Sequence, residues 1–132
     1  MLIKTRKKSL PSSQRSREHL NMQSEKQLQQ QVLAWLRFNR FLCWHVPNMG
    51  FFNRKTNRYN IVSSDHVAGI PDIHVILPGG EVVFIELKSE KGKLSPAQKA
   101  MLEKLASLGH STFVARDLQT VERYFKETGL IK

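Results

Sequence analysis

The stretch "GIPDIHVILPGGEVVFIELKSE", Gly69 to Glu90, constrains this chain more than any other. Two apolar runs, Asp72 to Leu77 and Glu81 to Lys88, flank the turn residues Pro78-Gly79-Gly80. Short apolar runs around such a turn read as a β-hairpin. A three-residue turn sets Leu77 opposite Glu81, and the same register sets Asp72 opposite Glu86. Directly opposed residues carry Cβ atoms about 5 Å apart. Two carboxylates held that close in a low-dielectric setting repel, and a bound divalent cation makes the arrangement favourable. A two-residue turn would shift the pairing by one and weaken the match.

Strand alternation puts Glu86 and Lys88 on one face and Leu87 on the other. Lys88 either pairs with Asp72 or Glu86, or it orients an attacking water and stabilises charge on a phosphate. Carboxylates without thiolates or paired histidines suit magnesium or manganese better than zinc. His19, His45, His66, His74 and His110 show no zinc-ligand spacing. His74 shares the face of Asp72 and reads as a packed or supporting side chain.

The rest of the chain alternates helix and strand. "SEKQLQQQVLAWLRFNR" carries Leu28, Val32, Trp35 and Leu36 as one apolar stripe, with Ser24 and Gln27 as a capping box. "FLCWHVP" reads as a short strand ended by Pro47. "NMGFFNRKTNRYN" and "SSDHVAG" read as loop. After the hairpin and the basic loop "EKGKL", Ser95, Pro96 and Gln98 open a helix that Gly109 stops. "STFVA" is a strand, and a last helix runs from the cap Asp117 to near Gly129. This order predicts an α/β fold, a sheet with helices packed on its faces.

The length of 132 residues suits one domain. Residues 1–22 hold six Lys and Arg against one Glu, a net +5 of the chain's +10. The expected division is a basic, disordered tail at 1–22 and a folded domain at 23–132. The charge predicts a polyanionic partner, nucleic acid first and an anionic membrane surface second. The tail is then either a phosphate-binding arm or a solvated extension. Asn48, Asn53, Arg54, Lys55 and Arg58 precede the hairpin, and Lys91 and Lys93 follow it. All seven are candidate DNA contacts, with Phe51 and Phe52 placed to stack on bases. The lone Cys43 reads as a packed thiol and excludes a disulfide within the chain. No apolar stretch reaches the length of a membrane span, and the basic start lacks the apolar centre of a secretory signal. An intracellular protein is expected.

Gly69-Ile70-Pro71-Asp72, Glu86-Leu87-Lys88 and Gln98 within "LSPAQ" together resemble the VRR-NUC branch of the PD-(D/E)xK nucleases, over about residues 25 to 127. The resemblance implies a restriction-endonuclease-like core, a mixed central sheet flanked by helices. It implies that Asp72, Glu86 and the Leu87 carbonyl hold Mg²⁺ or Mn²⁺, and that Glu25 completes the site directly or through water. Lys88 would position the nucleophilic water, with Gln98 in support. It also implies a DNA endonuclease acting as a homodimer on branched substrates such as Holliday junctions. Two rivals are a non-catalytic nucleic-acid-binding module with a vestigial site and a sequence-specific restriction-type nuclease.

Overall fold

The computed structural model describes residues 23–47, 50–53, 55–56, 58–61 and 67–132, with 50–53 and 58–61 described by their backbone. The elements in chain order are α1 (Glu25–Phe38), β1 (Leu42–His45), β2 (Gly50–Asn53), β3 (Arg58–Ile61), β4 (Ile73–Ile76), β5 (Val82–Leu87), α2 (Pro96–Ser107), β6 (Ser111–Ala115) and α3 (Leu118–Glu127). Residues 1–22, and with them the expected tail, lie outside the described residues.

Four strands form a mixed sheet in the order β1-β4-β5-β6. β1 and β5 run antiparallel to β4, while β6 runs parallel to β5. A parallel neighbour needs a crossover, and α2 supplies it. The hairpin register is the one the three-residue turn predicts: Ile73 pairs with Ile85 and Val75 with Val83, and Leu77 N–H donates to Glu81 O at 2.8 Å. Gly79 and Gly80 turn the chain with φ of 97° and 95°, a backbone region that L side chains rarely enter.

The pleat sorts the hairpin into two faces. Ile73, Val75, Leu77, Val83, Ile85 and Leu87 are buried on one of them, against Leu28, Val32 and Leu36 of α1 and Val121 and Phe125 of α3. The alternate residues lie on the other face, where Glu86 meets Gln98 of α2. Cys43 joins the core, where burial raises its thiol pKa against the opposing pull of Arg37. It is the packed thiol that its apolar neighbours suggested.

Ser24–Gln27 and Ser95–Gln98 both close as capping boxes, and Asp117 caps α3 through the Thr120 N–H. The end of α1 is less legible, because no glycine marks it. Arg40 itself takes the left-handed conformation at φ 65°, and Phe41 N–H reaches Leu36 O at 3.0 Å, a Schellman closure. The stretch read as loop differs too: Gly50–Asn53 and Arg58–Ile61 pair as a separate antiparallel ribbon. Its polar, basic composition hides the strands, since a two-stranded ribbon outside the main sheet need not carry an apolar run.

Candidate active site

Asp72 sits just before β4, one step past the Ile73–Ile85 rung, and Glu86 lies near the end of β5. The Asp72 Oδ2 accepts the Leu87 N–H at 2.8 Å. The strand end is therefore closed by this carboxylate rather than by backbone. Glu86 is 1% exposed and is the buried charged side chain among the described residues. Its Oε1 accepts from Gln98 Nε2 at 3.0 Å, and its Oε2, also buried, has no partner.

The electrostatics follow from this packing. Burial pushes the Glu86 carboxyl up to about 8, the neighbouring charge of Asp72 adds to the rise, and Lys88 opposes it. A buried, unpartnered carboxylate oxygen beside a second carboxylate costs free energy until a proton or a cation arrives. Two adjacent carboxylates fit Mg²⁺ or Mn²⁺, which bind through one or two carboxylates and keep several waters. No group of three or more His, Cys, Asp or Glu side chains that could share an ion forms among the described residues.

Gln98 links two jobs the sequence left separate. Its Oε1 accepts the Ser95 N–H at 2.9 Å to complete the capping box while its Nε2 holds Glu86. The start of α2 is thereby anchored to the carboxylate pair. Gly69 is the second anchor. It adopts φ +80°, and a Cβ there would press into the Ala97 carbonyl and stand 2.9 Å from the Gln98 nitrogen. Gly69→Ala is therefore expected to destabilise the fold by about 2–4 kcal/mol, from left-handed strain and overpacking. Chemical denaturation of the two proteins measures the difference.

A cleft of about 390 Å³ collects these residues: Glu25, Asp72, Glu86, Lys88 and Gln98 all line it, with Gly69 and Ile70 at its wall. Glu25, the first residue of α1, is exposed; its Oε1 accepts the Ser89 N–H at 3.4 Å. A second cavity of about 410 Å³ shares Glu25, Asp72 and Leu87 and adds Lys26, Gln29 and His45. None of these three was singled out for this role. His74 is half-buried, with its ring edge-to-face against Trp44 and Phe84, and burial lowers its pKa. It is a packed histidine.

Of the candidate DNA contacts, Lys91 and Lys93 are exposed on the loop that leaves β5, and Lys55 is exposed between β2 and β3. Asn53 and Arg58 face each other as the last pair of that ribbon. Asn48 and Arg54 lie outside the described residues, as do the side chains of Phe51 and Phe52. One contributor escaped the sequence altogether. Arg116, directly after β6, donates from Nη1 to the carbonyls of Ser89, Gly92 and Glu90 at 2.7, 2.6 and 3.3 Å. It clamps the loop between Lys88 and Lys93, and nothing in the local run "VARDL" signals a partner 24 to 27 positions earlier.

The model of the VRR-NUC domain family matches residues 23–117. A phage protein named as a nuclease, p44 of Acyrthosiphon pisum secondary endosymbiont phage 1, is 36% identical over 55 residues. That match takes in 40% of this chain and 59% of the phage protein, so this chain spans less than two thirds of that relative. A solved structure described as a VRR_NUC domain protein superposes with a TM-score of 0.58 over 80% of this chain and 91% of its own, at 24% identity. At that identity the likeness speaks for the fold.

Proposed function

The chain belongs to the VRR-NUC domain family, and on that premise we propose that it is a metal-dependent nuclease that hydrolyses DNA phosphodiester bonds. The observation that carries this reading is the buried Glu86 beside Asp72, its Oε2 left without a partner at the wall of an open cleft. A fold stabilised only by apolar packing gains nothing from that pair. A cation site does.

Asp72, Glu86 and the Leu87 carbonyl would hold Mg²⁺ or Mn²⁺, with Glu25 joining directly or through water. When bound, the ion supplies positive charge to the scissile phosphate and acidifies a water. The chain's own groups then do the positioning. Gln98 fixes the Glu86 carboxylate through its Nε2, and Leu87 N–H fixes Asp72. Lys88 lines the same cleft and orients the attacking water while its ammonium offsets charge on the phosphate. The water oxygen bonds to phosphorus as one P–O bond to the sugar breaks, the water gives up a proton, and the departing sugar oxygen takes one up. Lys91 and Lys93 would meet the DNA backbone on the exposed loop that Arg116 holds, supported by the net charge of +10.

Branched DNA is the proposed substrate and a homodimer the proposed assembly, because paired incisions need two sites at a fixed separation. The test is cleavage of four-way junctions, flaps, linear duplex and single strands in Mg²⁺, Mn²⁺ or EDTA, beside sedimentation of the protein. The expected result is metal-dependent cutting that favours branched DNA, by a dimer. Absence of cutting under every metal condition would make the chain a binding module instead.

A further inference from the structure

The β4–β5 ladder stops one rung short of the site. Its last pair is Ile73 with Ile85, and the next hydrogen-bonded pair in that register would be Pro71 with Leu87. Lys88 N–H donates to Ala115 O on β6, so the even-numbered residues of β5 turn their backbone toward β6. The odd-numbered ones turn theirs toward β4, as Leu77 and Glu81 show at the other end, where Leu77 N–H bonds Glu81 O. Leu87 therefore directs both its N–H and its C=O at the start of β4. Its N–H is taken by Asp72 Oδ2 at 2.8 Å. For its C=O the ladder would offer the N–H of residue 71, and proline has none. Pro71 is fully buried. It is also held in place, because Gly69 two residues earlier is lodged against the start of α2.

We propose that Pro71 is a positioning residue that keeps the Leu87 carbonyl out of the β4–β5 ladder and so leaves it available as a main-chain ligand for a divalent cation. The proposal rests on the metal-dependent reading above. Backbone carbonyls are ordinary ligands for hard cations, but one already accepting a ladder hydrogen bond is held in the sheet. An amide at position 71 would zip the hairpin one rung further and compete for the same oxygen. It would also draw the chain at residue 71 toward β5 and displace Asp72, whose side chain now fills that gap.

The experiment has two arms that do not depend on cleavage. In the first, Mg²⁺ is titrated into isotopically labelled wild-type protein and the carbonyl carbon of Leu87 is followed with the side-chain carboxyl carbons of Asp72 and Glu86. All three are expected to shift together. Shifts at the carboxyls with none at Leu87 overturn the proposal and leave the nuclease reading standing. Shifts at none of them overturn the nuclease reading itself. The second arm compares Pro71→Ala with wild type by Mn²⁺ titration, read from the free-ion electron paramagnetic resonance signal, and by amide hydrogen exchange. The expected result is affinity about tenfold weaker, in the range seen when a supporting group is lost, with slow exchange of the new amide at position 71. Weaker affinity with a fast-exchanging amide there means that the lost ring volume, not the new donor, is responsible, and overturns the proposal. Unchanged affinity does the same. If Pro71→Ala does not fold, the first arm decides.

Discussion

Asp72→Ala and Glu86→Ala are each expected to lower Mg²⁺-dependent DNA cleavage by at least about a thousandfold, roughly 4 kcal/mol of barrier, while DNA binding survives. The loss is large because each carboxylate is irreplaceable within the cleft. Asp72 both lines the cleft and closes the strand end through Leu87 N–H. Glu86 brings the buried oxygen that no protein group satisfies. Binding should survive because neither substitution touches the exposed Lys91 and Lys93. Lys88→Ala makes the informative contrast: it should keep metal affinity yet lose about a hundredfold or more in rate, as removal of an oriented charge-stabilising donor does. A rate within threefold of wild type would reduce Lys88 to a salt-bridge partner. Single-turnover cleavage of a labelled duplex or junction, with gel-shift measurement in EDTA, separates the two effects.

The second large effect is on stability. In the metal-free protein the Glu86 carboxyl titrates near 8 rather than at its ordinary value of 4.5, chiefly because it is buried and secondly because Asp72 is beside it. The folded state thus holds a proton that the unfolded chain has released. Stability is full below about pH 4.5 and is lost as pH rises through 8. The ceiling on this loss is about 5 kcal/mol, enough to lower Tm by well over 10 °C in a domain of this size. Thermal unfolding in EDTA from pH 5 to pH 9 should show the decline, and Glu86→Gln should flatten it, since an amide needs no proton. Added Mg²⁺ should restore wild-type Tm most at high pH, where it takes the place of the proton, and should do little for Glu86→Gln. A wild-type curve that stays level in EDTA, or an equal Mg²⁺ response at pH 5 and pH 9, would sink the coupling.

Both predictions draw on features of different legibility. The Asp72–Glu86 opposition follows from counting across Pro78-Gly79-Gly80, and the Ile73–Ile85 pairing agrees with that count. The burial of Glu86 is another matter. Its neighbours in sequence, Ile85 and Leu87, are core residues of the opposite face, so the local run says only that Glu86 faces away from them. What covers it is α2, and the contact comes from Gln98, twelve positions on. The sequence marked Gln98 as a capping residue, and the family resemblance added a role at the site. The structure joins the two through opposite ends of one amide.

What the sequence determined by itself is what acts within a few residues or along one strand pair. Apolar period places α1, β4 and β5. Side chains of Ser24, Ser95 and Asp117 reach backbone N–H groups three residues away. A tight turn fixes a register, because the pleat then assigns every side chain to a face. Tertiary structure alone decided the long-range meetings: Glu25 against Ser89, Gly69 against Ala97, and Arg116 on three loop carbonyls. These contacts span 64, 28 and 24 to 27 residues. They have no periodicity to read, since they arise only once segments distant in sequence meet in the folded chain. The raised pKa of Glu86 belongs with them, for burial is a property of what surrounds a carboxylate, and a strand by itself surrounds nothing.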